Sequence, residues 1–324
     1  MGAERFGWAK RNPAPRSMRV KNTLIGWGMA TALYPAKRSK ASATARIEAD
    51  GAVHVDAGSQ DVGGGTYTIM TQIAADTLGV LVWSVKFRLG DTRYPETPVS
   101  GGSQTAASTG SAVNLAAAAL RQKLADLVGM PPEEMTIQDG QIRRNGGTDR
   151  VRLRDLIARS GQSYIEASAE AKPDEDAKKF SPYSFGAQFA EVNVDADLGQ
   201  IHVKRMTGVF ATGRILNAKT ARSQFMGGMI WGISLALHET TTYDQRLVRV
   251  VNNNLAEYHV STNADVGELH VAWVEEDDRH VSTVGAKGIG EIGITGSAAA
   301  IVNAIYHATG KRIREVPVTP DKLI

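Results

Sequence analysis

The sequence predicts an α+β fold of two subdomains, each a mixed sheet with packed helices. Two observations carry this. Strand pairs around turn residues lead into a Gly/Ser/Thr loop and then a helix N-terminus, and this order recurs about three times along the chain. Between the halves lies AEAKPDEDAKKF (Ala169–Phe180), which is charged, contains a proline and has no periodicity. A boundary there gives subdomains 1–172, irregular at its N-terminal end, and 173–324. The alternative is a solvated loop within one domain.

The elements follow in order. ARIEADGAVHVDAGSQ predicts two strands around the Asp50-Gly51 turn, with Ile47, Val53 and Val55 alternating with polar neighbours. DVGGGTYTIMTQIAADTLGV predicts a helix opened by Gly63, Gly64 and Gly65. Its apolar positions are Ile69, Ile73 and Leu78, and Gly79 is its C-terminal cap. VKFRLGDT predicts a strand. ETPVSGGSQTAASTGSAV predicts a small-residue loop feeding a helix over Ser111–Val128, with Val113, Leu120, Leu124 and Leu127 as its apolar face. Turns follow at Asp139-Gly140 and Asn145-Gly146. In the second half, FAEVNVDADLGQIHVKRM predicts a strand pair turning near Asp197–Gly199. A long helix follows from Asn217, and a glycine loop feeds a last helix capped at Gly310.

Composition narrows the function. The chain has 42% hydrophobic and 22% charged residues, an ordinary globular balance that supports a sizeable core. A net charge of +3 does not suggest a nucleic-acid binder. The one basic cluster, Glu4–Lys21, contains Pro13 and Pro15, which argue against a helical targeting peptide. No apolar run reaches the ~18 residues a membrane span needs. With no cysteine, the chain cannot supply a thiolate zinc or iron–sulfur site. The seven histidines show no i, i+4 pair and no metal-ligand spacing, and His54 and His202 read as strand residues. There is no G-x-S-x-G element.

Glycine loops before helices let the backbone approach a ligand, and helix N-termini favour anions. Three of them suggest a large, elongated polyanion gripped from several sides. None is a P-loop, which argues against a plain nucleotide-binding module. GIGEIG (Gly288–Gly293) has dinucleotide-loop spacing, but its Glu291 would repel a pyrophosphate. Two readings of Glu291 remain on chemistry alone. It is an exposed charge favouring the following helix, or a general base in an apolar, small-residue surround.

Several motifs together resemble the molybdenum-binding large subunit of the xanthine dehydrogenase/aldehyde oxidase family, with the aldehyde-oxidising branch nearest. GAKGIGEIG, an alanine-rich helix and RIREVPVTPDKL resemble its C-terminal end. GSQDVGGGTYTIMTQIAADTLG, SGGSQTAASTGSAV and GRILNAKTARSQFMGGMIWGI resemble its other cofactor segments, in the same order. The resemblance implies oxidation of aldehydes to carboxylic acids, or hydroxylation of N-heterocycles. It places Glu291 as the base that deprotonates a hydroxyl on the molybdenum. It further implies a molybdenum cofactor held through its pterin dithiolene rather than by side chains, commonly as a cytosine dinucleotide. Iron–sulfur and FAD groups would lie on partner subunits.

By position, the resemblance assigns cofactor contacts to Gly63, Gly64, Gly65, Thr66, Tyr67 and Thr68, and to Gly102, Gln104, Gly110 and Ser111. It adds Arg214, Asn217, Thr220 and Gln224, and the strip Lys287, Gly288, Ile289 and Gly290. Two departures stand out: Gly64 where glutamine is frequent, and Ala218 where proline is common. The family's large subunit is longer. The chain is therefore expected either to work with a separate upstream half or to be a non-catalytic remnant or assembly module. Its expected compartment is the cytoplasm, or the periplasm if a partner carries the export signal.

Overall fold

The computed structural model describes residues 1–173 and 179–324. Its strands are β1 Arg19–Val20, β2 Thr23–Pro35, β3 Ala41–Glu48, β4 Val53–Asp56, β5 Val85–Arg88, β6 Met135–Gln138 and β7 Gln141–Arg144. They continue with β8 Arg150–Arg152, β9 Tyr164–Ala171, β10 Tyr183–Asp195, β11 Ile201–Ala211, β12 Tyr243–Asp244, β13 Arg249–Val250 and β14 Glu268–Trp273. The helices are α1 Gly2–Phe6, α2 Thr66–Leu78, α3 Thr105–Val128, α4 Leu153–Arg159, α5 Ala218–Leu237 and α6 Ser297–Thr309.

Two main sheets organise the fold. In the first, β5-β4-β3-β9, alternate residues of β3 and β4 are buried, as the alternating sequence requires. Ala43, Ala45, Ile47, Val53 and Val55 pack against Met70 and Ile73 of α2 and Leu120 and Leu124 of α3. The small sheet β6-β7-β8 joins the same core through Met135, Ile137 and Ile142, and α4 joins it through Leu153. The second main sheet has the order β1-β2-β10-β11-β14, with β14 parallel to β11. One face, carrying Ala190, Val192 and Met206, packs on α5 and α6, and Phe189 on the other stacks with Phe6 of α1.

Helix α6 lies directly on β2. A Cβ at Gly26 would stand 1.9 Å from the Ala304 carbonyl oxygen, and one at Gly28 would stand 2.1 Å from that of Ala300. Only glycine permits this approach. Among the described residues, no helix is long and apolar enough to cross a membrane.

The structure alters three expectations. Helix α3 starts at Thr105, six residues before Ser111. Its first turns are rich in Ser, Thr and Gly, poor helix formers, but Ala107 is buried against Ala36 and Val281 and overrides propensity. Leu127, expected on the apolar face, is exposed, whereas Val113, Leu120 and Leu124 are fully buried. A sequential cut at 172/173 does not separate the two main sheets, because β2 pairs with β10 along its whole length. Of the expected linker, Ala169–Ala171 completes β9, and 174–178 lie outside the described residues.

His307, which carries no sequence signal, is fully buried in α6. Its Nδ1 accepts from the Trp27 N–H at 2.9 Å, so Nε2 is the nitrogen that donates to the Asn12 carbonyl at 2.7 Å. This arrangement needs a neutral ring, and burial pulls its pKa below the ordinary 6.5. The stabilisation is therefore complete above pH 6.5 and is lost as pH falls through the lower, folded-state value. Thermal melts should show stability declining below pH 6.5, with a shallower decline in His307→Gln.

Candidate cofactor site

Four loops that precede helices converge on one cleft of about 400 Å³. They are Gly63–Gly65 before α2, Gly101–Gln104 before α3, Arg214–Asn217 before α5, and Lys287–Glu291 ahead of α6.

The first loop is shaped by Asp61, whose carboxylate accepts from the Gly63 and Tyr67 N–H groups. It rests on the start of α5: a Cβ on Gly65 would come within 2.8 Å of the Thr220 methyl. That helix is capped by Asn217, whose Oδ1 accepts from the Lys219 and Thr220 N–H groups while Nδ2 donates to Gln72 on α2. The second and fourth loops interlock. A Cβ on Gly288 would stand 1.4 Å from the Ser103 carbonyl oxygen, so the two backbones touch where only glycine fits. Ser103 itself adopts φ 56°, in the left-handed region.

Glu291 is half-buried in the cleft wall. Its Oε2 accepts from the Tyr34 hydroxyl at 2.5 Å and from Ser103 Oγ at 2.8 Å, while Oε1 has no partner among the described residues. The Tyr34 phenol is pushed up to about 12, first by burial and then by the hydrogen bond to Glu291 and the charge of that group. It therefore remains a donor throughout the neutral range.

Lys287 behaves differently from its neighbours. It is 5% exposed, and its ammonium pairs with Glu276 at 3.1 Å and Asp278 at 3.0 Å. Glu276 also accepts from the Gly213 N–H, which ties the 285–288 strand of chain to the loop before α5. The side chain of Lys287 thus braces the strip. Next to it, the N–H groups of Gly288, Ile289 and Gly290 bond to no described residue. The Gln224 amide is likewise unpartnered among the described residues, and among them the Arg214 guanidinium has only a 3.9 Å contact with Asp76. Successive backbone donors, a carboxamide and a guanidinium make a cradle for a polar, anionic ligand. Among the described residues, no three His, Asp or Glu groups could hold a metal.

The cleft gathers Gly64, Thr66, Gly102, Arg214, Asn217, Thr220, Gln224 and the whole strip from Lys287 to Glu291. Other positions assigned from sequence lie elsewhere. Gly63 and Thr68 are exposed outside the cleft, and Tyr67 sets its ring edge-on to Phe87. Gln104 is occupied by Ser39 Oγ and the Val99 carbonyl. Gly110 and Ser111 are buried within α3, where Ser111 Oγ donates to the Ala107 carbonyl and accepts from the Thr283 N–H. Sequence reasoning singled out neither Tyr34 nor Trp231, which also lines the cleft, and named Ser103 only within the matched loop Gly101–Gln104. Ser103 and Trp231 lie in segments matched to the family, whereas Tyr34 carried no signal.

Comparison with known proteins agrees with this geometry. The family model described as the molybdopterin cofactor-binding domain matches residues 1–267, ending before the Glu291 loop. The aldehyde oxidoreductase molybdenum-binding subunit PaoC of Escherichia coli is 39% identical over 323 residues, covering 100% of this chain and 43% of its own length. The putative xanthine dehydrogenase molybdenum-binding subunit XdhA of Escherichia coli is 30% identical over 342 residues, covering 99% and 44%. Among solved structures, the aldehyde oxidoreductase from Desulfovibrio gigas matches with a TM-score of 0.77 at 26% identity, over 95% of this chain and 33% of that one. Quinoline 2-oxidoreductase from Pseudomonas putida 86 shares the fold, with a TM-score of 0.82 at 24% identity, over 93% of this chain and 42% of that one. The chain spans less than half the length of these relatives. A glycine-paved cleft built from four loops, a match over most of the sequence and relatives of one kind lead to the same conclusion: this chain belongs to the molybdopterin cofactor-binding family that includes the molybdenum-binding subunits of aldehyde oxidoreductases and xanthine dehydrogenases.

Proposed function

We propose that this chain is the C-terminal catalytic portion of a molybdenum hydroxylase, which oxidises aldehydes to carboxylic acids or hydroxylates N-heterocycles. The observation that carries the reading is Glu291, held by one oxygen in the wall of a donor-lined cleft with its other oxygen bonded to no described residue. When bound, the molybdenum cofactor supplies the two-electron oxidation. The chain's own residues do the rest. Glu291 Oε1 takes the proton from the attacking oxygen. The N–H groups of Gly288, Ile289 and Gly290, with the Gln224 amide, bind the polar edge of the pterin. Arg214 and the first loop hold the phosphates of its cytosine dinucleotide form. Electrons leave to an iron–sulfur subunit and then a FAD subunit, in keeping with a chain that has no cysteine.

The test is to isolate the chain with the subunits it assembles with, assay molybdenum and pterin, and follow oxidation of aldehydes and of N-heterocycles with an artificial electron acceptor. One molybdenum per chain and turnover of either substrate class are expected, and a preparation free of molybdenum would sink the proposal.

A further inference from the structure

Two residues that the proposed chemistry does not itself use meet at the Glu291 carboxylate. Tyr34 comes from the end of β2, 257 positions away in sequence, and Ser103 from the loop before α3, 188 positions away. Each hydroxyl makes its one described hydrogen bond to Glu291 Oε2. An oxygen that accepts two bonds from opposite parts of the fold fixes the torsion of the whole carboxylate. Ser103 supplies its share from a backbone of φ 56°, which serine seldom adopts and glycine adopts freely. The close contact of its carbonyl with Gly288 keeps that backbone in place.

We infer that Tyr34 and Ser103 are positioning residues for the proposed base: they pin one carboxylate oxygen of Glu291 and leave the other as its single proton acceptor. The inference rests on the reading of Glu291 given under Proposed function. A phenol buried beside a carboxylate stays protonated far above neutral pH, so the Tyr34 bond persists wherever the enzyme operates. Ser103→Gly is the cleanest probe of the serine, because it removes the hydroxyl while relaxing the backbone. Tyr34→Phe removes the other donor at nearly constant volume.

The experiment measures kcat, KM and molybdenum content of the complex carrying each variant, alone and combined with Glu291→Gln. Loss of a hydrogen bond to a charged group should lower kcat by roughly tenfold for each single variant, with KM and molybdenum content unchanged. In the Glu291→Gln background neither change should lower kcat further, since both act through that carboxylate. Effects that add fully in that background, or that fall on KM or molybdenum content, would show a merely structural role and overturn the inference. A second readout needs no cofactor. The Tyr34 phenol, followed as the difference in ultraviolet titration between wild type and Tyr34→Phe, should ionise at lower pH in Glu291→Gln than in wild type, and an unchanged midpoint would also overturn it. If Glu291→Gln stays active, the functional reading fails. If Glu291→Gln is inactive while both donor variants match wild type, only the positioning role fails.

Discussion

Glu291→Gln should lower turnover of the molybdenum-loaded complex by at least ~100-fold, the contribution expected of a positioned general base. The substitution is nearly isosteric. Its amide can still accept from Tyr34 and Ser103, the two hydroxyls that hold the side chain in place. Molybdenum content and the thermal midpoint should therefore stay near wild type while kcat collapses. That split separates a base from a structural carboxylate, whose loss would lower stability and leave the residual rate high. Steady-state kinetics beside metal analysis on the same preparation gives the answer, and a rate within a few-fold of wild type would remove Glu291 from the mechanism.

Gly288→Ala should be as damaging by a different route. The added methyl group would sit 1.4 Å from the Ser103 carbonyl oxygen, 2.4 Å from its carbonyl carbon and 2.8 Å from its Cβ. Two of these are backbone atoms, so no side-chain rotation relieves the clash, and the loop before α3 must separate from the Lys287–Glu291 strip. Overpacking of this severity costs at least ~3 kcal/mol. The cost also falls at the cleft, because the same displacement carries Ser103 away from Glu291 and spreads the N–H groups of the strip. Lower molybdenum content and a lower thermal midpoint are expected together. Gly290→Ala is the control. A Cβ there meets its nearest atom, Ser103 Oγ, at 3.4 Å, so its effect on the thermal midpoint should be much smaller.

The parts of this protein that were legible in sequence are those governed by neighbouring residues. Alternation in β3 and β4, the cap at Gly79 and the hairpin turn near Gly199 depend on a few consecutive positions, and they occur where local chemistry places them. The start of α3 was misjudged for the same reason in reverse. Its Ser- and Thr-rich turns look like loop until Ala107 is packed against Ala36 and Val281. Ser111 and Gln104 were expected as cofactor contacts from the family resemblance alone. In the fold, their side chains are consumed by Ala107, Thr283, Ser39 and Val99. Lys287 was expected beside the cofactor on the same resemblance, and its ammonium faces Glu276 and Asp278.

By itself, the sequence determined the inventory: glycine loops before helices, one carboxylate in the last of them, and no thiolate anywhere. Backbone freedom and charge are properties of single residues and short runs, so they can be read before any folding is known. Only the tertiary structure decided how the inventory is assembled. It placed β2 in the sheet of the second half, laid Ser103 against Gly288, and brought Tyr34 to Glu291 across 257 residues of chain. Such contacts depend on strand pairing and packing between distant segments, which no local pattern specifies.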